Sequence, residues 1–250
     1  MLPLDCHAHI QPSIPAAELR KLGACVIAVT RSLDEFAQVV DRRDGSVVWA
    51  LGVHPGLRAS QDTFTINRFR ELLPFTPVVG EIGLDRRSPV PLELQQQTLD
   101  EILRALDDQP RMLSIHSSGA ASAVLDLLAA RRPRGVVLHW WRGTITETIR
   151  ALDLGCSFSI NAAEVSNPRV LGNVPRERIL TETDHPYGDR RQAGKRPGRV
   201  DAVEAALARQ WNVDLDAARR QVWANFLAVA TTADVTAMMP PDFQRTMLAA

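Results

Sequence analysis

The sequence predicts an α/β protein, a (β/α)8 TIM barrel in a single domain over residues 1–250 with extra C-terminal helices. Three observations carry this expectation. Eight short β-rich apolar runs alternate with segments of helical apolar spacing, a pattern that implies parallel strands joined by crossovers. No linker-like composition shift, low-complexity segment or repeat divides the 250 residues, a length that barrels routinely reach in one domain. Histidines and acids fall at the ends of the apolar runs, and a barrel gathers its functional groups at the C-terminal ends of its strands.

Taken in order, the first run is Leu2 to His9, and its helix is Ala16 to Leu22. His7 and His9, two residues apart in a strand, project on the same side. The second run, Ala24 to Thr30, precedes helical spacing at Leu33 to Val40, and the third, Val47 to Val53, leads past His54 to a helix at Ile66 to Leu73. Pro77 to Gly83 holds Glu81 and precedes Leu94 to Leu106. Met112 to His116 precedes Ala120 to Ala130, and Gly135 to His139 precedes Thr146 to Leu152. Cys156 to Ile160 is the seventh run, followed by an unclear segment from Asn161 to Val174, and Arg178 to Asp184 is the eighth. A polar loop from Gly188 to Arg199 follows, rich in arginine. The tail then reads as two helices, Val203 to Trp211 and Leu215 to Val229, expected to pack outside the barrel.

Composition narrows the function class. Hydrophobic residues make up 45% and charged residues 23%, which fits a soluble globule. Net charge near zero gives no global pull toward nucleic acid or membrane, so any such contact must be local. Cys6, Cys25 and Cys156 are odd in number and form no Cys-x-x-Cys pair, which argues against a disulfide framework or a zinc knuckle. The N-terminus enters the first strand without an apolar leader, and no run is long enough to span a bilayer, so a cytoplasmic location is expected.

The predicted strand ends carry His7 and His9, His54, Glu81, His116, His139 and Asp184. Imidazole suits zinc, manganese, iron or nickel, and carboxylates also admit magnesium. The set has enough ligands for two divalent metals sharing one carboxylate, with Glu81, from mid-barrel, as the bridge. Two metals about 3.5–4 Å apart clamp the attacking and leaving oxygens of a displacement.

Several motifs occur together and in order: Asp5-Cys6-His7-Ala8-His9, Gly52-Val53-His54-Pro55, Val79-Gly80-Glu81-Ile82-Gly83-Leu84-Asp85, Ile115-His116-Ser117, Leu138-His139 and Glu182-Thr183-Asp184-His185-Pro186-Tyr187. From residue 5 to about residue 200 the chain resembles the TatD-like metal-dependent hydrolases, which include Mg-dependent deoxyribonucleases, some acting as 3′–5′ exonucleases. The resemblance implies one metal held by His7, His9, Glu81 and Asp184, and a second held by Glu81, His116 and His139. It implies that Asp184 orients or deprotonates the attacking water, and that His54 holds the phosphate or stabilises charge on the leaving group. Glu182, two residues before Asp184, is expected behind the ligands, orienting one of them. Magnesium or manganese is expected in activity, with zinc admissible in the purified protein.

Three positions depart from that family's pattern. Ser118 stands where an arginine is usual, Trp140-Trp141-Arg142-Gly143 replaces the usual Cys-Phe-Ser-Gly, and Asn225-Phe226-Leu227 lacks the usual following arginine and phenylalanine. Arg142 is a candidate replacement for the missing cation, Trp140 and Trp141 offer a surface for stacking an unpaired base, and Arg190, Arg191, Lys195 and Arg196 are candidates for backbone contact. The leading expectation is a two-metal phosphodiesterase acting on DNA, single-stranded or at an end. One alternative keeps the metals and changes the bond to a small ester, lactone or amide. A third reading is a DNA- or partner-binding subunit of a bacterial anti-phage complex with conditional nuclease activity.

Overall fold

The computed structural model describes residues 1–167, 171–188 and 196–250. Eight strands follow one another: β1 (Leu4–Ala8), β2 (Cys25–Val29), β3 (Val47–Ala50), β4 (Val78–Gly83), β5 (Met112–His116), β6 (Val136–Leu138), β7 (Ser157–Ile160) and β8 (Ile179–Thr181). Every strand pair is parallel, within one sheet of order β1-β2-β3 and another of order β4-β5-β6-β7-β8. Two seams join the sheets into a closed barrel. Leu51 bridges to Val79, its N–H donating to Val78 at 3.0 Å, while the Gly80 N–H donates back to Leu51 at 2.9 Å. At the other seam the Asp184 N–H donates to the His7 carbonyl at 2.8 Å, and the His9 N–H donates to that of His185 at 2.9 Å.

Among the described residues, seven α-helices lie between the strands: α1 (Ala16–Arg20), α2 (Leu33–Ala37), α3 (Arg58–Asp62), α4 (Ile66–Leu72), α5 (Leu92–Ala105), α6 (Ala121–Arg131) and α7 (Ile145–Asp153). Helix starts are legible where a side chain caps them: Ser32 accepts from the Glu35 N–H, and Thr144 with Glu147 forms a reciprocal capping box. Strands are buried on both faces, which is why they read as continuous apolar runs rather than alternating ones. The tail contributes α8 (Asp201–Trp211), α9 (Leu215–Thr232) and α10 (Pro241–Leu248). Helix α9 packs outside the β8–β1 seam: Trp223 Nε1–H donates to the Leu2 carbonyl at 2.8 Å, and the Asn225 amide donates to that of Ile179 at 2.8 Å.

The predicted strands are all present, β5 with the expected bounds and the others shorter. β1 ends at Ala8 and β8 at Thr181, so His9, Glu182 and Asp184 lie just past their strands. The ladder stops because the backbone turns toward the barrel mouth, with Asp184 at φ +44°. The helices α3 and α10 have no counterpart in the predicted set. Two close approaches explain glycines near the mouth. A Cβ on Gly52 would lie 1.7 Å from the Thr30 carbonyl oxygen, and one on Gly83, at φ +135°, would lie 2.1 Å from that of His116.

Candidate metal centre

Five of the six histidines meet at the C-terminal mouth of the barrel around Glu81, which β4 delivers fully buried at the centre. One carboxylate oxygen, Oε1, lies 2.7 Å from His116 Nδ1 and 3.1 Å from His139 Nε2. The other, Oε2, lies 3.2 Å from His9 Nε2, 3.5 Å from His54 Nε2 and 3.6 Å from His7 Nε2. Asp184 Oδ1 is 3.7 Å from His7 Nε2 and 3.6 Å from His9 Nε2. The His7 and His139 rings stack at 3.8 Å. Three groups of side chains have ligand atoms mutually within 4.8 Å: His7 with His139 and Asp184, His7 with His9 and Glu81, and His54 with Glu81 and His116.

Whether this set suits a cation is decided by its lone pairs. His7 Nδ1 lies 2.8 Å from the Ser114 hydroxyl, which occupies that nitrogen. Burial pushes His7 down to about 3, so the ring is neutral near pH 7. With its proton on Nδ1, it turns a bare Nε2 into the site, and that atom has no hydrogen-bond partner among the described residues. Glu81 Oε2 is buried and unpartnered in the same way. Buried polar atoms without partners are rare and costly, and a shared cation satisfies both at once. The residues therefore fit a divalent metal.

The charge balance points the same way. Burial alone would raise Glu81, but electrostatic interaction with the His54 and His139 rings and hydrogen bonds from His116 and His139 hold it well below the usual carboxylate range. Burial would lower His139, yet Glu81 and Glu182 lift it well above the ordinary imidazole value. Asp184 is pushed well above its usual value, first by burial and then by the neighbouring charges of Glu182 and Glu81, with His139 opposing. The mouth is thus a negative well that draws protons, and a dication reverses this by favouring the ionised carboxylates.

His54 differs from the others. Its Nδ1 accepts the Gly56 N–H at 3.0 Å, which leaves the proton of the neutral ring on Nε2, facing Glu81. Burial pushes its value down, favouring that neutral form. A ring held so is a hydrogen-bond donor to the site.

Glu182 lies behind the histidines, fully buried. Its Oε1 accepts the Trp140 N–H at 3.0 Å and the Asn161 amide at 3.1 Å, its Oε2 accepts the Ser159 hydroxyl, and His139 Nδ1 stands 3.8 Å away. It was expected on Asp184's strand; both residues instead follow the end of β8. Trp140 adopts φ +40°, so two non-glycine residues in left-handed conformation flank the site, each costing about 1–3 kcal/mol.

The expected substrate contacts divide. Trp141 is not available for stacking: it is 1% exposed, packs on Phe158 with ring centroids 5.7 Å apart, and donates from Nε1 to Thr148. The reason is the direction the chain takes out of β6, which turns one indole into the core and leaves the other at the mouth. Trp140 is part-buried beside a cleft, donating from Nε1 to Glu164 at 3.0 Å, and Arg142 is 60% exposed there, its Nε 3.2 Å from the same carboxylate. Arg196 is exposed and does not line that cleft. Arg190, Arg191 and Lys195 lie outside the described residues.

Sequence reasoning missed Asp85, whose Oδ2 lies 3.7 Å from His116 Nε2 and whose backbone is gripped from both sides by the buried Gln95 amide. The available signal was its place at the end of Gly-Glu-Ile-Gly-Leu-Asp. Ser114 was missed as well, because β5 reads as an apolar run.

Residues 4–230 match the sequence profile of the family described as TatD related DNase. The chain is 31% identical to the 3′-5′ ssDNA/RNA exonuclease TatD of Pantoea ananatis over 185 residues, 69% of this chain and 71% of that protein. It is 29% identical to deoxyribonuclease Tat-D of Schizosaccharomyces pombe over 116 residues, a match spanning 43% of this chain and 37% of that longer relative. Among solved structures, a TatD homologue from Escherichia coli K12 superimposes with a TM-score of 0.76 over 90% of this chain and 97% of its own, at 22% identity.

Proposed function

The chain belongs to the family of TatD-related DNases, whose profile covers residues 4–230, and we propose that it is a two-metal phosphodiesterase that cuts DNA, single-stranded or at an end. Family membership makes it a metal-dependent hydrolase of phosphodiester bonds. The observation that carries the finer reading is the meeting of His7, His9, His116, His139, Glu81 and Asp184 at one barrel mouth, with His7 Nε2 and Glu81 Oε2 buried, unpartnered and 3.6 Å apart.

In this reading His7, His9, Glu81 and Asp184 hold one divalent ion, and Glu81, His116 and His139 hold the other. When bound, such ions supply Lewis-acid polarisation of the phosphoryl group and acidify water. The protein does the rest. Glu81 offers Oε1 to the His116 and His139 side and Oε2 to the His7 and His9 side, so it suits the bridging position. Asp184 faces His7 and His9 across the β8–β1 seam, where an ionised carboxylate orients water and takes its proton. His54, with its proton on Nε2, donates to a phosphate oxygen or to the departing alkoxide. Glu182 fixes the orientation of His139. Trp140 stands at the rim for an unpaired base, a contact worth about 1–3 kcal/mol.

The test is degradation of labelled single-stranded DNA with Mg2+ or Mn2+ by the wild type and by Glu81→Ala. Metal-dependent cutting by the wild type, reduced roughly 100-fold or more in the variant, is expected. Equal activity in both, or none in either across several metals, overturns the reading. Elemental analysis of protein purified without chelators should find two metal equivalents, and magnesium, manganese and zinc are told apart by the same measurement.

A further inference from the structure

A cleft of about 600 Å³ opens beside the metal centre, with His116 and His139 at its inner end. That size falls within the roughly 300–1,000 Å³ of small-ligand sites. The wall contributed by the loop leaving β4 is formed by Arg86 and Arg87, which directly follow Asp85. Both are exposed. The Arg86 N–H donates to the Ser118 carbonyl at 3.0 Å and its Nε to that of Gly119 at 3.0 Å, which lays this arginine across the β5 loop. Neither guanidinium has a carboxylate partner among the described residues, whereas Arg142 on the far side is paired with Glu164.

The floor adds to the positive potential. It includes the first turn of α6, Ala121 to Ala123, whose N-cap Ala120 supplies no side-chain acceptor. First-turn amides have no partner within their own helix, and they favour an anion beside them. Ser117 and Ser118 also line the cleft. Two arginines without carboxylate partners, a helix start and hydroxyls, contiguous with the candidate phosphodiesterase site, describe a place for a second phosphate.

We propose that Arg86 and Arg87 form a second anion subsite that holds the phosphate next to the scissile one, so that the protein selects nucleic-acid strands over isolated phosphodiesters. This rests on the phosphodiesterase reading above. Planar guanidinium forks suit bidentate contact with phosphate oxygens.

The experiment compares two substrates under Mg2+ or Mn2+: a labelled single-stranded oligodeoxynucleotide, which carries flanking phosphates, and bis(p-nitrophenyl) phosphate, which carries one phosphodiester and none beside it. In Arg87→Ala, and more so in Arg86→Ala/Arg87→Ala, the ratio of kcat/KM for the oligonucleotide to that for the small diester should fall about tenfold or more, through KM on the oligonucleotide. The slope of log KM against log salt for the oligonucleotide should flatten by about 0.7, the value for one phosphate on a single strand. Arg70→Ala, an exposed arginine on α4, should leave the ratio as it is and so control for net charge. An unchanged ratio in the double variant overturns the subsite. So does a wild type that turns over the small diester but not the oligonucleotide, an outcome that keeps metal-dependent phosphodiester cleavage and removes DNA as its substrate. A wild type that cuts neither overturns both.

Discussion

At the residue scale, His7 and His54 of the candidate centre each have one ring nitrogen committed and the other turned toward the site. Ser114 occupies His7 Nδ1, Gly56 occupies His54 Nδ1, and Ser159, Asn161 and the Trp140 N–H occupy Glu182. The committed atom decides the tautomer, and the tautomer decides whether the free atom donates or accepts. His7 and His54 are both neutral histidines of the mouth, yet they present opposite chemistry, a lone pair and an N–H. Glu182 touches no bare ligand face and acts through His139. Glu182→Gln, nearly the same size, should therefore lower metal affinity or activity by about 10–100-fold, with metal content by elemental analysis as the measure; full metal occupancy and full activity would refute that role.

At the element scale, charged pairs clamp helices to one another, among them Glu204 with Arg219 and Asp100 with Arg131. Glu204 on α8 is buried, and Arg219 on α9 reaches it with Nε 2.7 Å from Oε1. Arg219→Ala leaves that carboxylate buried and unpaired, and should cost about 3–5 kcal/mol in chemical denaturation. Replacing both partners, with Arg219→Met and Glu204→Gln, should recover most of the loss. Between α5 and α6, Asp100 receives the Arg131 guanidinium as a fork at 2.6 and 3.0 Å. The hydrogen bonds from Arg131 outweigh burial and hold the Asp100 carboxyl below its usual value. A carboxyl lowered in the folded state stabilises above the unfolded value, near 3.9, and loses that contribution as pH falls through the folded one. Asp100→Asn should lower Tm at pH 7, and its gap from the wild type should close as pH drops below about 4.

At the scale of the whole molecule, the barrel brings together residues from the first strand to the eighth, so the centre and the fold depend on each other. Five histidines and several acids crowd the mouth, and burying like charges without a counter-ion costs several kcal/mol per ion. A cation that binds only the folded state stabilises by mass action. Removing metal with a chelator should lower Tm, and adding Mg2+, Mn2+ or Zn2+ back should restore it. Glu81→Ala should respond far less to either step. A wild-type Tm indifferent to chelation would show that the mouth is satisfied without metal. No helix among the described residues is long and apolar enough to cross a membrane.

The alternation of apolar runs and helical spacing determined the barrel without help, because strands covered on both faces must be apolar along their whole length. It also pointed to the residues of the candidate centre, since His7, His9, His54, Glu81, His116, His139 and Asp184 all fall at or near the C-terminal end of an apolar run. Where those strands stop was less legible: His9, Glu182 and Asp184 lie just past the ladder, and strand ends depend on the closing seams rather than on local preference. Only the tertiary structure decided which tryptophan of the adjacent pair is buried, because both have the same composition signal and the chain direction out of β6 separates them. Only it found Ser114 inside an apolar run, Asp85 beside His116, and Arg86 with Arg87 on the cleft wall. Such roles depend on distances between segments far apart in sequence, and periodicity along one chain carries no record of them.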